Sequence, residues 1–151
     1  MSDHDAVVAH VAATRFPFAG QTTWPEDYVT IVNVPEPKRA IPFADGYHYP
    51  DIAIVDSTGR LREAGEVLMT VDPAATASLK AVSEATDTDT PTHVRHFFVY
   101  VPAGMEAAAQ KLLDDAAISY AGVRSFVCTA EGSIKILPFV TAGSQFDNQA
   151  T

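Results

Sequence analysis

The stretch YHYPDIAIVDSTGRLREAGEVLM, residues 47–69, decides how this chain folds. Its β-branched content predicts two short strands, at about 49–56 and 61–69, and the letters STGR at 57–60 predict the tight turn that joins them. Because alternate residues of a strand share a face, Glu66 would point to one face and Val67 to the other. The stretch therefore predicts an antiparallel pair of strands at the centre of the fold.

Two carboxylates lie at matching ends of these strands. Pro50-Asp51 opens the first strand, and Glu66 stands near the end of the second. Antiparallel neighbours place those ends side by side, so the two acids can meet. Paired carboxylates suit a hard divalent cation such as Mg²⁺ or Mn²⁺, which takes oxygen ligands and keeps several waters. The residues alone leave a second interpretation open, in which both are exposed acids at strand ends.

The composition is that of one globular domain. The chain has 151 residues, of which 47% are hydrophobic and 19% charged, so it is long enough to bury a core. We expect a single domain over residues 1–140 and a flexible tail over 141–151. No apolar run approaches the ~20 residues that span a bilayer, so no membrane association is expected.

Charge and cysteine content limit the function classes. The formal net charge is −9, which opposes loose, charge-driven binding to nucleic acid, although bound cations can offset it. A single cysteine, Cys128, excludes an internal disulfide and favours a cytoplasmic protein. Cys128 lies in an apolar run and is predicted to be a core residue.

The remaining elements follow from periodicity and capping signals. The segment 35–46 holds three prolines and is predicted to be a loop or an irregular hairpin tip. The strand at 93–102 is the most apolar and is expected to be central, and Ala108, Leu112 and Leu113 are expected to be buried on the last helix. Helices are predicted at 3–14, about 72–85 and about 105–117, and further strands at 28–34, 93–102, 120–129 and, after the turn at Glu131-Gly132, in SIKILPF.

This order predicts a mixed α/β domain. The first three strands form an antiparallel meander, and the later strand–helix–strand steps require parallel neighbours. There is no phosphate-binding glycine-rich loop, no GxSxG elbow and no CxxC pair, so P-loop, serine and thiol chemistry are not expected.

Pro50-Asp51 followed by Glu66-Val67-Leu68, within this order of elements, resembles the PD-(D/E)XK, or restriction-endonuclease-like, superfamily. The resemblance covers roughly residues 3–128. It implies a three-layer sandwich, with a mixed central sheet flanked by helices in the order α-β-β-β-α-β-α-β and a C-terminal hairpin strand added. It also implies a hydrolase, a Mg²⁺- or Mn²⁺-dependent phosphodiesterase acting on DNA.

The resemblance assigns roles to individual residues. Asp51 and Glu66 would bind the metal, and the backbone carbonyl of Val67 would be a further ligand. The metal would activate a water and stabilise charge on the phosphate. The third position of the triplet should be lysine, but it is Leu68 here.

Three outcomes follow from Leu68. Lys80, on the following helix, could reach back to the site as a catalytic residue. Glu63 could join the site if Gly65 forms a β-bulge. Alternatively, the fold is kept without catalysis, as a binding or assembly module, with a homodimer as one such assembly. His48, close to Asp51, is either a group that supports the site or a structural residue.

Overall fold

The computed structural model describes residues 3–16, 28–88 and 92–142. Helices form at α1 (Asp3–Arg15), α2 (Thr76–Ala85) and α3 (Glu106–Asp115). Strands form at β1 (Val29–Val32), β2 (Ile41–Phe43), β3 (Gly46–His48), β4 (Ile52–Val55), β5 (Leu61–Val67), β6 (Phe97–Pro102), β7 (Gly122–Cys128) and β8 (Ile134–Thr141).

The strands build a mixed six-stranded sheet in the order β1-β4-β5-β6-β7-β8. Strands β1, β4 and β5 are antiparallel, β5, β6 and β7 are parallel, and β8 returns antiparallel to β7. The predicted mixed α/β class, with an initial meander, is therefore confirmed. Within the segment predicted as a loop or hairpin tip, β2 begins a separate two-stranded sheet with β3.

Helices cover both faces of this sheet. Helix α1 buries Val7, Val8, Val11 and Ala12 in a cluster that includes Phe98. Helices α2 and α3 supply Leu79, Val82 and Leu113 to a second cluster around Phe97, Val99 and Val101. Strand β6 is buried on both faces because it contributes to both clusters, which confirms its central place.

Close packing fixes the contact between α1 and β5. A Cβ atom added to Gly65 would lie 2.8 Å from Cζ of Phe16, which directly follows α1. Glycine therefore allows the aromatic ring to rest on the strand backbone.

Three details of the sequence prediction are wrong. Strand β6 begins only at Phe97, since His93 has a φ of 62°, outside the strand region. On α3, Ala109 is buried in place of Ala108, because α3 packs the (i, i+4) pair Ala109 and Leu113 inward. Cys128 is exposed, because β7 runs past the end of β6, whose pairing stops at Phe126.

No helix in residues 3–16, 28–88 and 92–142 combines the length and apolar character needed to cross a membrane.

Candidate functional site

Two buried carboxylates meet where β4 begins and β5 ends. The pairing of Ile52 with Gly65 brings Asp51, just before β4, next to Glu66. The Asp51 N–H donates to Glu66 Oε1 at 3.1 Å, and the Val67 N–H donates to Asp51 Oδ2 at 2.8 Å. Asp51 is 8% exposed and Glu66 6%. Each acid thus accepts a backbone hydrogen bond from the strand of the other.

A histidine contacts each of these acids. His4, in the first turn of α1, places Nε2 at 3.1 Å from Asp51 Oδ2. His48, the last residue of β3, places Nε2 at 3.3 Å from Glu66 Oε1. The side chains are 30% and 26% exposed, respectively, so solvent can reach the cluster through them. We call His4, His48, Asp51 and Glu66 the acid–histidine cluster.

Burial and charge shift the proton affinities of the cluster. Burial raises the pKa of Glu66 to about 7, with a further increase from the charge of Asp51, while the hydrogen bond from His48 opposes it. The hydrogen bond to Asp51 raises the pKa of His4 to about 9. The hydrogen bond to Glu66 raises the pKa of His48. The cluster therefore keeps protons near neutral pH that the free side chains would release.

The structure brings together Asp51, Glu66 and the Val67 backbone, but not Lys80. Lys80 is exposed on α2, and no hydrogen bond or ion pair joins it to Glu66 in the described parts of the chain. Leu68 is half-buried and packs against the cluster of α2 and α3. Among the described residues, the acid–histidine cluster therefore contains no lysine.

Glu63 does not join the pair. The register shift in the β4–β5 pairing lies at Ile54/Val55 and not at Gly65, so β5 stays regular between Glu63 and Glu66. Glu63 is 1% exposed, and its Oε1 lies 3.7 Å from Nδ1 of His96. The proposed bulge at Gly65 is therefore wrong.

His4 is the group that sequence reasoning missed. It lies 47 positions before Asp51, and it precedes the apolar stripe by which α1 is recognised. Its neighbours Asp3 and Asp5 already account for the start of α1, because acids in the first turn stabilise a helix. No local pattern gives His4 a partner, because the contact depends on how α1 lies across the sheet.

The two acids of the cluster carry carboxylate oxygens, the type of ligand that a hard cation takes. Asp51 Oδ1 and Glu66 Oε2 accept no hydrogen bond from the residues that the structure describes. Among those residues, no group of three or more His, Cys, Asp or Glu side chains is placed to hold a metal ion. Two carboxylates with water in the remaining positions are a common arrangement for Mg²⁺. Strand geometry directs the Val67 carbonyl to the same side as its N–H.

Comparison with known proteins gives no match, whether with family models, curated proteins or solved structures. Function is therefore inferred from the residues of this chain.

Proposed function

We propose that this protein is a restriction-endonuclease-like phosphodiesterase that acts on DNA and depends on Mg²⁺ or Mn²⁺. The observation that carries the proposal is the contact between the Asp51 backbone and the Glu66 carboxylate at 3.1 Å. Asp51, just before β4, and Glu66, on β5, bring two buried carboxylates together at one end of the sheet. A metal-dependent hydrolase uses such oxygen ligands to hold its cation.

The element order supports the same proposal. Leaving aside the small β2–β3 hairpin, the chain runs α-β-β-β-α-β-α-β and then adds β8. Helix α1 covers one face of the mixed sheet, and α2 and α3 cover the other. This order and layering are what the resemblance implies for the superfamily.

Each residue of the site has a defined task in this proposal. Asp51, Glu66 and the Val67 carbonyl would hold the metal, which when bound supplies an activated water and positive charge for the phosphate. The N–H groups of Asp51 and Val67 hold the carboxylates in place. His4 and His48 balance the negative charge of the acids, and the acids must release protons as they bind a cation.

A second candidate function is a noncatalytic binding or assembly module on the same fold. Leu68 at the lysine position and exposed Lys80 favour it, since the described cluster has no lysine to position a water. For either function we propose a cytoplasmic location, because a chain with one cysteine has no internal disulfide and suits a reducing compartment.

Metal titration separates the two functions. We would titrate Mn²⁺ and Mg²⁺ by calorimetry into the protein, into Asp51→Asn and Glu66→Gln, and into Asp115→Asn as a control with an exposed carboxylate. If the protein is the phosphodiesterase, it should bind the metal ion. Asp51→Asn and Glu66→Gln should abolish this binding, and Asp115→Asn should retain it. Cleavage of supercoiled plasmid and of single-stranded DNA at low salt should then follow the same pattern. Metal binding that is unchanged in Asp51→Asn and Glu66→Gln, or the absence of metal binding, would reject the phosphodiesterase.

A further inference from the structure

A cavity of about 250 Å³ lies on the α2 side of the sheet, separate from the acid–histidine cluster. It opens to solvent and is lined by residues of β2, of β4, of β5 with the turn before it, and of α2. The apolar residues that line it include Ile41, Pro42, Ala53, Val55, Leu61 and Ala81. Neither Asp51 nor Glu66 lines it, so the cavity is a distinct feature.

Small side chains keep this space open. The cavity is lined by Ala53 on β4 and by Ala81 and Ala85 on α2. Larger apolar residues at these positions would fill the gap between strand and helix and gain packing energy. Most of the lining residues are apolar, so covering them with an apolar ligand is favourable.

Two arginines border the apolar walls. Arg39 and Arg60 both line the cavity and both are exposed, so their charges lie on its solvent side. Arg60 is paired with Asp87 at 3.0 Å. Arg39 donates from its guanidinium to the Gly59 carbonyl, and it forms no ion pair with any described residue. Arg39 therefore offers positive charge to an incoming anion.

A buried side chain fixes the backbone that carries Arg39. Asn33 is 3% exposed, and its Oδ1 accepts the N–H groups of Lys38 and Arg39, both at 2.8 Å. Its Nδ2 donates to the carbonyls of Arg39 at 2.9 Å and Pro50 at 2.6 Å. Asn33 thus binds the 38–39 segment to Pro50, two residues before β4. An arginine held on a fixed backbone loses less entropy when it binds a ligand.

We propose that this cavity binds a small carboxylate with an apolar body, the body in the cavity and the carboxylate against Arg39. An apolar cavity of about 150 Å³ holds a benzene ring, so this one has room for about ten heavy atoms. A guanidinium suits a carboxylate because it can donate two parallel hydrogen bonds. The protein is acidic overall, with a formal net charge of −9, so selection for an anion depends on the local charge of Arg39.

The probes are octanoate and 1-octanol, which share an apolar chain and differ in charge. We would measure affinity for each from the rise in thermal midpoint with ligand concentration. Octanoate should bind about tenfold more tightly than octanol, the size of one charge-assisted interaction. Equal affinity of the two probes would overturn the proposal.

Matched variants locate the site. Arg39→Gln should remove the preference for octanoate, whereas Lys38→Gln, which removes the neighbouring charge outside the cavity, should retain it. Ala81→Leu should weaken both probes by filling the cavity, whereas Ala77→Leu, exposed on the same helix, should not. Equal effects of Arg39→Gln and Lys38→Gln would contradict the proposal. If Ala81→Leu does not fold, the arginine and lysine pair decides alone.

Discussion

The backbone N–H of Asp51 donates a hydrogen bond to the side chain of Glu66, at 3.1 Å from Oε1. In the other direction, Asp51 Oδ2 accepts a hydrogen bond from the Val67 N–H at 2.8 Å. These bonds continue the β4–β5 ladder beyond its last paired residues, Ile52 and Gly65. The proposed ligands therefore also stabilise the end of the sheet.

Asp51→Ala should lower the free energy of unfolding by about 1–3 kcal/mol, since it leaves the buried Val67 N–H without its acceptor. Asp51→Asn keeps an acceptor oxygen and should lower the free energy of unfolding by a smaller amount. Urea unfolding at fixed pH measures both variants. Equal losses would mean that the hydrogen bond to Val67 does not stabilise the fold.

His4 should make the metal-free protein less stable as pH rises from about 6.5 to about 9. Its pKa is raised in the folded state, to about 9, so the folded protein binds the proton more tightly than the unfolded chain. That stabilisation is complete below the unfolded pKa and is lost as pH rises through the folded one. We expect ~1–2 kcal/mol, after allowing for the partial exposure of the ring. His4→Asn should flatten this part of the stability curve, and a curve unchanged by the substitution would refute the assignment.

Glu66 should destabilise the metal-free protein between about pH 4.5 and 7. Burial raises its pKa to about 7 in the folded state, so ionisation opposes folding and stability falls as pH rises through this range. The loss is on the order of 2 kcal/mol. Glu66→Gln cannot ionise and should remove the slope in this range, as followed by urea unfolding in a chelating buffer. A slope that persists in Glu66→Gln would assign it to another group.

Gly65→Ala should destabilise the protein by about 1–3 kcal/mol through overpacking. The added Cβ would lie 2.8 Å from the Phe16 ring, which must move. Gly46→Ala is the control, because a Cβ there meets nothing within 4 Å. Thermal unfolding of the two variants should differ clearly, and similar midpoints would show that the Phe16 ring yields without cost.

Leu68→Lys tests the proposed function from the opposite direction. Leu68 directly follows β5 and stands two residues after Glu66. In an extended backbone a lysine there would start from the same face as Glu66. In the phosphodiesterase proposal this substitution restores the triplet and should increase Mn²⁺-dependent plasmid cleavage, by about tenfold or more for a positioned catalytic group. Leu68→Met is the control for altered packing. An equally small rate in both variants would favour the noncatalytic module.

The sequence predicts best what depends on neighbouring residues. The approach of Asp51 and Glu66 follows from a short turn and antiparallel pairing, which fix the register locally. Strand β6 is recognisable because it is apolar along its whole length. These features require no knowledge of how distant segments pack.

Features that depend on packing between distant segments escape the sequence. The distance from Lys80 to the acids depends on how α2 is rotated on the sheet, and the structure leaves that side chain in solvent. Cys128 stands in an apolar run, yet β7 outruns its neighbour β6 at that end. The contact of His4 with Asp51 arises only after α1 settles on the sheet.

The acid–histidine cluster takes one residue each from α1, β3 and β5, and its fourth residue, Asp51, lies just before β4. Its imidazole resonances would thus serve as a spectroscopic reporter of assembly. If α1 detached while the strands stayed paired, the His4 signal would revert to that of a free side chain and the His48 signal would not. NMR titration of these two rings would thus detect detachment of α1, which circular dichroism does not resolve because it reports an average over the whole chain.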